Sequence, residues 1–552
     1  MKNQFVAETL YLIADLLDLR GEMFFKTRAY RMAAQTIESL EDDIEDRVLQ
    51  GTLESIPGIG EALAKKITEL VRTGKLEYLE RLKKEVPTGL IDLLGIPGLG
   101  PKKVAALYKH RGITTIQDLQ KAASNGELRE LEGFGEITER NILRGIQLLE
   151  KTSGRVLLNV AYEDGNRYVS YLKKHKKIRK INIAGSLRRM KETIGDLDIL
   201  ASSTDPEAVM DYFVQYPEVA TVLAKGTTKS SVLLNDNLQV DLRVVEEKSY
   251  GAALQYFTGS KEHNVTLRGY AIKKGFKLNE YGLFDKDTEK YIAGKTEEEI
   301  YKKIDMQYIE PELRENRGEF EAAKKKTLPT LVGSDDITGD FHVHSIWSDG
   351  SDSIETIASA AHQQGYAFIG ITDHSQSLKI ANGLPEDRVQ KKIQEIQKVR
   401  KKFPRLRIFC GTECDIKTDG TLDYSNKILR QFDFVYIGIH TAFKMDKESM
   451  TKRIIKGMHN DQVNFLAHPT GRLIGRRDPY EVDIEQIIDA AKETETFLEI
   501  NSFPDRLDLD DIHIKQAKDY QVRFVLGTDS HSITHLDFIR FGVATARRGW
   551  LE

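Results

Sequence analysis

The sequence predicts a multidomain fold with α-helical N-terminal domains, an α+β middle and a C-terminal (β/α) barrel. Three patterns support this division. In the first 150 residues, apolar side chains recur at helical spacing, as at Leu10, Ile13 and Leu17. From about residue 155, short strand-like runs alternate with helical patterns, which is typical of a mixed domain. After about residue 337, strand and helix patterns alternate to the end, which indicates a barrel-like β/α domain.

The composition of the 552 residues is that of a globular protein, with 40% hydrophobic and 30% charged side chains. The apolar runs are too short to cross a bilayer, and the start MKNQFVAETL has no apolar signal core. We therefore expect no membrane contact, a cytoplasmic location and a monomer. The two cysteines, Cys410 and Cys414, are too few for a disulfide framework and are either packing residues or thiolate ligands. The net charge of −4 implies that any contact with nucleic acid is local.

A glycine-rich turn recurs in the helical region. The pattern apolar-Pro-Gly-apolar-Gly occurs at residues 56–60 and 96–100, and a weaker copy lies at 131–135. Each turn precedes a helix, so backbone N–H groups are free to hold a phosphate without reading base sequence. This helix–hairpin–helix pattern predicts DNA binding at Gly58, Gly60, Gly98 and Gly100; the alternative is a set of structural turns. The basic run 173–180 is either a second phosphate contact or a solvated helix end.

Paired carboxylates mark a first candidate metal site in the middle of the chain. Asp196 and Asp198 lie two apart in a predicted strand, so both side chains point to one face. Asp241 sits between apolar neighbours in another predicted strand. Three such carboxylates could hold two Mg²⁺ ions for phosphoryl transfer. Ser186 follows a glycine at a strand end, so its hydroxyl could hold a phosphate beside the arginines that follow. The alternative is a surface strand with solvated acids.

The segment from Gly185 to Asp198 resembles the nucleotidyltransferase signature of family X DNA polymerases, and the likeness covers roughly residues 1–318. The resemblance implies a palm and a thumb that carry out template-directed DNA synthesis. It implies that Asp196, Asp198 and Asp241 bind Mg²⁺ or Mn²⁺. The residues implied to bind the nucleotide are Ser186, Arg189, Gly195, Tyr256, Phe257, Gly259 and Asn264. Arg268 is implied to contact the template side of the new base pair.

Two positions depart from DNA polymerase beta, a member of that family. Gln239 stands in place of an arginine near the primer terminus, and Lys261 in place of an acid beside the incoming base. These changes bear on nucleotide affinity and fidelity, and not on the class of reaction. The N-terminal domain of the family can also carry a lyase, and Lys66 aligns with its nucleophilic lysine, with Lys26 and Tyr30 at nearby family positions. Lys66 is therefore either a lyase nucleophile or a phosphate-binding lysine.

Histidines are concentrated in the last third of the chain, often beside acids at the ends of hydrophobic strands. His342 and His344 face one side of a predicted strand, which is the geometry of paired metal ligands. In a β/α barrel, the strand C-termini bring such residues together. The candidate ligands are His342, His344, Asp349, His374, Glu413, His440, His468, Asp529 and His531. A lone histidine is usually a packed or surface residue, but nine His, Asp and Glu residues in this pattern predict a multinuclear metal site.

Residues from about 337 to 552 resemble the polymerase and histidinol phosphatase (PHP) domain, whose ligands form a trinuclear cluster. The resemblance implies three metal positions, held by His342, His344, Glu413 and Asp529; by Glu413, His440 and His468; and by Asp349, His374 and His531. Mixed nitrogen and oxygen ligands suit Zn²⁺ or Mn²⁺. The domain order resembles prokaryotic family X polymerases, in which this domain supplies 3′–5′ exonuclease activity and, in some members, abasic-site or 3′-phosphate processing.

The sequence therefore predicts a gap-filling DNA polymerase for base excision repair, joined in one chain to a nuclease that trims 3′ ends. Its expected partners are gapped or nicked double-stranded DNA and deoxynucleoside triphosphates, at the nucleoid. The expected domains are a first helix–hairpin–helix domain (1–82), a second one (83–150), a palm (151–245), a thumb (246–318), a linker (319–336) and the PHP domain (337–552). Two rival interpretations are a small-molecule phosphatase carried on a DNA-binding arm and a non-catalytic scaffold for DNA ends.

Overall fold

The computed structural model describes the chain except for residues 1, 23, 39, 41–43, 57, 95, 97, 98, 132 and 153. Gly98, which the sequence predicts to bind DNA, therefore lies outside the described residues. The chain forms two compact units, Met1–Ser153 with Gly475–Arg477 and Gly154–Ile474 with Asp478–Glu552. In the described part of the chain, no helix combines the length and the apolar character needed to cross a bilayer.

The described residues of the first unit form helices and turns, as the helical spacing predicts. The helices are α1 (Lys2–Leu19), α2 (Phe24–Glu38), α3 (Ile44–Gln50), α4 (Glu61–Thr73), α5 (Glu77–Glu85), α6 (Thr88–Leu94), α7 (Pro101–Arg111), α8 (Ile116–Ser124) and α9 (Glu136–Thr152). Leu10, Ile13 and Leu17 are fully buried in the core that these helices share. The apolar stripe of α1 therefore positions the unit around one hydrophobic core.

The three glycine turns close in the same way. In each turn the second apolar residue donates its N–H to the carbonyl of the first, three residues earlier. The pairs are Ile59 to Ile56 at 3.1 Å, Leu99 to Ile96 at 3.0 Å and Phe134 to Leu131 at 3.0 Å. The three donors are buried, so each turn is anchored in the core immediately before a helix begins. The weaker third copy in the sequence thus has the geometry of the first two.

The second unit begins with a five-stranded sheet and its helices. The elements are β1 (Val156–Leu157), α10 (Leu158–Leu172), β2 (Ile178–Ile183), α11 (Gly185–Arg188), β3 (Thr193–Ile194), β4 (Asp196–Ser203), α12 (Pro206–Phe213), β5 (Val219–Lys225), β6 (Lys229–Leu234) and β7 (Gln239–Val245). The strand order is β2-β4-β7-β6-β5, with β4 and β7 parallel and the other pairs antiparallel. Leu197 and Ile199 are buried, and Asp196 and Asp198, which alternate with them, line the other face.

A smaller region with a three-stranded antiparallel sheet follows. Its elements are α13 (Tyr250–Thr258), α14 (Lys261–Lys273), β8 (Phe276–Asn279), β9 (Gly282–Asp285), β10 (Tyr291–Ala293), α15 (Glu297–Lys303) and α16 (Glu319–Lys325). The charged stretch that follows α15, from residue 311 to residue 326, packs into this region. Arg314 and Glu319 have no exposed surface, and Glu319 Oε1 lies 2.9 Å from the buried His263 Nδ1.

The C-terminal region is a seven-stranded parallel barrel with helices between its strands. The elements are β11 (Gly339–Val343), α17 (Ile354–Gln363), β12 (Phe368–Ile371), α18 (Glu386–Lys402), β13 (Arg407–Asp415), α19 (Asn426–Leu429), β14 (Phe434–Gly438), α20 (Lys447–Met458), β15 (Phe465–Leu466), α21 (Ile484–Glu493), β16 (Phe497–Asn501), α22 (Asp511–Asp519), β17 (Phe524–Gly527) and α23 (Ile539–Arg548). His344 N donates to Ser530 O at 2.8 Å, which joins the ends of the first and last strands. The strand C-termini, where the candidate ligands lie, therefore form one rim.

Candidate metal centres and nucleic-acid interface

The three acids of the middle region meet at the start of β4. In the parallel pairing of β4 with β7, Asp198 lies directly opposite Asp241. Asp196 is exposed, Asp198 is half-buried and Asp241 is buried. The structure thus brings the three carboxylates together at one edge of the sheet.

Electrostatic crowding marks these carboxylates as a cation site. Burial, together with the charges of Asp196 and Asp241, raises the pKa of Asp198 to about 7. Lys229 Nζ lies 2.6 Å from Asp241 Oδ2, and Gln239 Nε2 donates to Asp241 Oδ1 at 3.0 Å. Burial opposes ionisation of Asp241, but these contacts hold its pKa below the usual value. Carboxylates that repel one another at this spacing fit a divalent cation with hard oxygen ligands.

The glycine of the Gly185-Ser186 turn is required by the acid beside it. A Cβ at Gly185 would lie 2.2 Å from Asp198 Oδ2, and the residue has φ +62°, a left-handed value. Ala184 N donates to Asp198 O at 2.7 Å, which fastens the end of β2 to β4. Ser186 is therefore held in α11, next to the carboxylates.

Both arginines after Ser186 are bonded to the region beyond α13. Arg189 donates to Glu315 Oε1 at 3.1 Å and also to the Thr258 carbonyl. A Cβ at Gly259 would lie 3.0 Å from Arg189 Nη1, so a glycine there leaves room for the guanidinium. The neighbouring arginine, Arg188, makes two bonds to the carboxylate of Glu297.

The remaining predicted nucleotide residues line α13, α14 and the entry to β4. The Arg243 guanidinium, two residues after Asp241, lies 4.4 Å from the centre of the Phe257 ring. Asn264 Nδ2 donates to Tyr256 O at 2.7 Å. Arg268 follows Asn264 by one helical turn, so the two side chains share a face of α14. Gly195 immediately precedes Asp196, and Lys261 is exposed at the start of α14.

Glu413 lies at the centre of the barrel cluster. Its Oε1 is 2.9 Å from His468 Nε2 and 3.0 Å from His440 Nε2. Its Oε2 is 3.4 Å from His342 Nε2 and 3.1 Å from His374 Nδ1. One carboxylate from β13 therefore reaches histidines that lie in or just after four other strands.

Two further acids complete the rim. Asp529 Oδ1 lies 3.2 Å from His344 Nε2, and Asp349 Oδ2 lies 3.4 Å from His531 Nε2. Ligand atoms lie within 4.8 Å of one another in three overlapping groups: His344, Asp349, His374 and His531; His342, His344 and Asp529; and His374, Glu413 and His440. With His468 beside Glu413, all nine predicted ligands gather at the barrel mouth. By distance, His344 and His374 each belong to two of these groups, whereas the resemblance implies one metal position for each.

Several nitrogen and oxygen atoms of the predicted ligands are buried and, although some lie close to one another, make no hydrogen bond of suitable geometry. They are His344 Nδ1, His374 Nδ1, Glu413 Oε2 and His468 Nδ1. Buried polar atoms are nearly always satisfied, so orphans gathered in one place require another explanation. Burial lowers the pKa of His374 to about 3, whereas at His440 and His531 burial is outweighed by the surrounding acids, which raise the pKa values of those rings to about 10 and about 9. Metal ions at these rings would displace their protons, because a histidine binds a metal in its neutral form. The residues present therefore fit divalent metals with mixed nitrogen and oxygen ligands.

Three residues behind the ligands were not predicted from the sequence. Glu499 Oε1 lies 2.6 Å from His342 Nδ1, and Asp415 Oδ1 contacts His440 Nδ1. Arg506 Nε lies 3.1 Å from Asp529 Oδ2. Such partners fix the ring orientation of metal ligands. A signal was present for two of them, since Asp415 is two residues after Glu413 in one strand and Glu499 interrupts an apolar strand.

Cys410 and Cys414 pack into the barrel wall. Both are buried in hydrophobic clusters, on the face of β13 opposite Glu413. Burial raises the pKa of Cys410 to about 11 and that of Cys414 to about 12. They are therefore thiols in a hydrophobic core, which agrees with the packing alternative.

The glycines of the described turns in the first unit offer open backbone. Gly58 has φ +84°, and Gly60 and Gly100 immediately precede α4 and α7. A Cβ built at any of the three would meet no atom within 4 Å. A phosphate can therefore approach the N–H groups at these helix starts closely.

Lys66 lies in α4, close to other cations. Burial, followed by the charge of Lys26 and then that of Arg81, lowers the pKa of Lys66. Its Nζ lies 5.0 Å from the centre of the Tyr78 ring, which stacks on Tyr30. A depressed pKa is what an amine nucleophile requires.

The fold and the two candidate sites together define the class of this protein. It is a nucleotidyltransferase with a palm and a thumb, preceded by a helix–hairpin–helix region and followed by a β/α barrel that carries a candidate metal centre. The sequence matches four families. They are the helix-hairpin-helix domain over residues 1–76, the SAM-like helix-hairpin-helix tandem over 90–147, the DNA polymerase beta thumb over 253–315 and the PHP domain over 340–503.

Sequence similarity to named DNA polymerases identifies the family of this chain. The chain is 38% identical over 556 residues to the DNA polymerase/3′-5′ exonuclease PolX of Bacillus subtilis (strain 168), covering 100% of this chain and 96% of that protein. It is 25% identical over 349 residues to DNA polymerase lambda of Rattus norvegicus, covering 57% and 56%. It is 27% identical over 283 residues to DNA polymerase lambda of Arabidopsis thaliana, covering 46% and 50%. The chain therefore belongs to the PolX family of DNA polymerase/3′-5′ exonucleases, which confirms the family X and PHP resemblances.

Proposed function

We propose that this PolX protein fills short gaps in DNA during base excision repair and trims 3′ ends at its barrel. The observation that carries the polymerase half is the position of Asp198 directly opposite Asp241, beside the Gly185-Ser186 turn. Mg²⁺ or Mn²⁺ bound by these acids and Asp196 would supply charge neutralisation and Lewis-acid activation for phosphoryl transfer. The residues around them would bind and orient the nucleotide.

The triphosphate would lie against the turn that begins at Gly185. Ser186, Arg189 and Gly195 would hold its oxygens, since Ser186 and Arg189 follow Gly185, which lies beside Asp198, and Gly195 immediately precedes Asp196. The contacts of Arg189 occupy Nε and Nη1, so its Nη2 would be free to donate to an anion. Tight binding here would place the α-phosphate next to the acids.

The sugar and base would lie against α13 and α14. Tyr256 and Phe257 would flank the sugar, and the ring of Phe257 is fixed under the Arg243 guanidinium. Gly259 would keep the passage beside Arg189 open. Asn264 would contact the minor-groove edge of the incoming base. Arg268, on the same face of α14, would contact the template side of the pair.

The barrel cluster would hold three divalent ions, Zn²⁺ or Mn²⁺ or both. Their chemistry there would be activation of water for attack on a phosphodiester. Glu413 would be shared between ions, because its two oxygens face different histidines. Asp415 and Glu499 would orient His440 and His342. The 3′ terminus of DNA is the proposed substrate, and an abasic site is a further one.

The substrate of the whole chain would be gapped or nicked duplex DNA in the cytoplasm, at the nucleoid, bound by a monomer. Gly58, Gly60, Gly98 and Gly100 would contact its backbone. The domain limits expected from the sequence, at residues 82, 150, 245, 318 and 336, stay a prediction.

Paired variants test the two-site proposal on a gapped duplex labelled at the 5′ end of the primer. Asp196→Ala with Asp198→Ala should abolish primer extension and leave 3′ trimming unchanged, because the two sets of acids are separate. His342→Ala with His344→Ala should do the reverse. Loss of both activities in either double variant would contradict two independent sites.

The alternative, a small-molecule phosphatase on a DNA-binding arm, makes a different prediction. Wild-type protein would then release phosphate from histidinol phosphate or sugar phosphates, and DNA ends would stay intact with Mg²⁺ or Mn²⁺ present. The full-length similarity to a polymerase/exonuclease favours the first proposal.

Lys66 supports a second activity, a lyase on cleaved abasic sites. The observation that favours it is the lowered pKa of Lys66 beside Lys26 and Arg81. Borohydride should trap the wild-type chain on DNA that carries a cleaved abasic site, and Lys66→Ala should lose this adduct. The matched control is Lys65→Ala, which removes an exposed lysine from the same helical turn. Equal trapping in both variants would leave Lys66 a phosphate-binding residue.

A further inference from the structure

The turn that follows the Gly185–Arg188 helix is bonded to the barrel. Arg548, the last residue of α23, donates through Nη1 to the Arg189 carbonyl at 2.7 Å. The same Nη1 lies 3.0 Å from Glu315 Oε1, the oxygen that accepts from the Arg189 side chain. One barrel guanidinium therefore contacts both the main chain of Arg189 and the acid that orients its side chain.

Arg548 is itself held firmly. Its side chain is 4% exposed, and its Nη2 lies 2.5 Å from Asp511 Oδ2 in the barrel helix α22. Arg317 shares that acid at 2.9 Å. Charge-assisted bonds of this kind are short and directional. The guanidinium is therefore fixed from the barrel side and presents its other edge to the palm.

A second barrel arginine holds the next residues of the same turn. Arg472 Nη2 lies 2.8 Å from Glu192 Oε2, and its Nε donates to the Arg506 carbonyl at 2.8 Å. Between Arg189 and Glu192 the chain passes through Met190, which has φ +52°. A non-glycine residue in this region is strained and persists where the surroundings determine the backbone. Bonds from the barrel at both sides of Met190 supply such surroundings.

We propose that Arg548 is a positioning residue for the polymerase reaction, acting from the barrel through Arg189 on the incoming triphosphate. This inference rests on the proposed role of Arg189 in nucleotide binding. Arg548 sets the main chain of Arg189 and shares Glu315 with it, so the free edge of the Arg189 guanidinium points at the phosphates. The barrel then has two roles. Its mouth is the nuclease site, and its Arg548 supports the turn from Gly185 to Arg189, which holds the triphosphate.

Arg547, the residue before Arg548, provides a control that distinguishes positioning of Arg189 from general attachment of the barrel to the rest of the unit. Arg547 lies beside Arg548 in α23 and also forms an ion pair with the segment after α15, to Glu312 Oε1 at 2.7 Å. It donates to the Val332 carbonyl at 3.1 Å and has no bond to Arg189 among the described contacts. Arg547→Met therefore removes a comparable ion pair but no contact to the turn from Gly185 to Arg189.

The experiment measures single-nucleotide extension and 3′ trimming by full-length Arg548→Met, Arg548→Lys and Arg547→Met. Loss of a charge-assisted contact predicts that Arg548→Met raises the KM for the incoming nucleotide by about 10-fold or more, with kcat little changed. Inorganic pyrophosphate would bind the same turn, so its inhibition constant should rise in parallel. Arg548→Lys, which keeps one donor, should recover part of the loss. Trimming should stay at the wild-type level in all three, which also reports correct folding.

The outcomes distinguish this inference from the proposed function. If wild-type protein extends primers but Arg548→Met and Arg547→Met raise the KM equally, Arg548 only attaches the domains and the inference is wrong. A changed kcat with an unchanged KM and unchanged pyrophosphate inhibition would also overturn it. If wild-type protein does not extend primers, the proposed polymerase function itself fails.

Discussion

The palm carboxylates and the barrel cluster differ in donor type and in burial. The palm offers oxygen ligands alone, and Asp196 is exposed to solvent. The barrel combines six histidines with three acids, and Glu413, His342 and His344 are buried. An open oxygen site suits Mg²⁺, which keeps waters and is bound through substrate phosphates. A buried nitrogen and oxygen site suits transition metals. We therefore expect the palm metals to arrive with the nucleotide and the barrel metals to be resident.

The two sites also differ in how they are supported. The barrel ligands are oriented by acids of the same barrel, such as Asp415 and Glu499. The turn of the palm from Gly185 to Arg189, which is proposed to hold the triphosphate, is oriented by residues far along the chain, namely Glu297, Glu315 and Arg548. A self-contained site should survive changes elsewhere in the molecule, whereas the palm site should be sensitive to its neighbours.

The largest effect is expected from Glu413→Gln. Glu413 faces His440 and His468 with one oxygen and His374 with the other, so loss of its charge removes a shared ligand. We expect 3′ trimming to fall by about 10⁴-fold or more, because water would no longer be activated. Bound metal per chain, measured by mass spectrometry after gel filtration, should fall as well.

Primer extension is the internal control for Glu413→Gln and should stay within about twofold of wild type, since distant sites act independently. If trimming survives with less metal, Glu413 is not shared between ions. If primer extension also fails, the two sites do not act independently, and the contrast drawn between them is wrong.

The next effect, on stability, is expected from Glu297→Gln. Glu297 is 4% exposed and binds Arg188 and the fully buried Arg314, whose Nη1 lies 2.6 Å from Glu297 Oε1. Burial alone would raise the pKa of Glu297, but Arg314 and Arg188 lower it to about 2. Removing the acid leaves buried Arg314 without its counter-charge, which should cost about 3–5 kcal/mol of unfolding free energy.

This loss has a defined pH dependence. Because the folded pKa of Glu297 lies below its unfolded value, its contribution is complete above the ordinary pKa of 4.5 and declines as pH falls towards about 2. The stability difference between wild type and Glu297→Gln, measured by denaturant unfolding, should therefore narrow below that ordinary value. Glu298→Gln, at an exposed position in the same helix, should have little effect. A difference that stays constant with pH would mean that the charge of Glu297 does not stabilise the fold.

Local pattern was enough to predict the strands and the positions of the candidate metal ligands. Alternation placed Asp196 and Asp198 on one face of a strand, and the same period placed His342 and His344. Barrel topology then gathers residues that follow different strands, as the structure shows for Glu413 and Asp529. Short-range periodicity and one topological rule are therefore sufficient to predict which of these side chains lie close together.

Ion pairs between residues far apart in the sequence could not be predicted from local pattern. The ion pair of Arg189 with Glu315 and its link to Arg548 join residues more than 100 positions apart. Arg314 lies in a charged stretch of the sequence, yet it is fully buried because Glu297 neutralises it. A single sequence gives the charges of such residues but not which pairs meet, and pairing decides whether a charge can be buried.

The smallest effect is expected from Glu499→Gln, which tests the support of the barrel cluster without removing a ligand. Glu499 accepts from His468 N at 2.7 Å and lies 2.6 Å from His342 Nδ1. Glutamine keeps the size of the side chain but loses the charge that makes His342 a stronger ligand. Outer partners of this kind are worth about 10–100-fold, so trimming should fall by that amount with extension unchanged. Glu495→Gln, at an exposed position just before the same strand, is the matched control. Equal trimming by the two variants would show that the ligands of the barrel hold their own orientation.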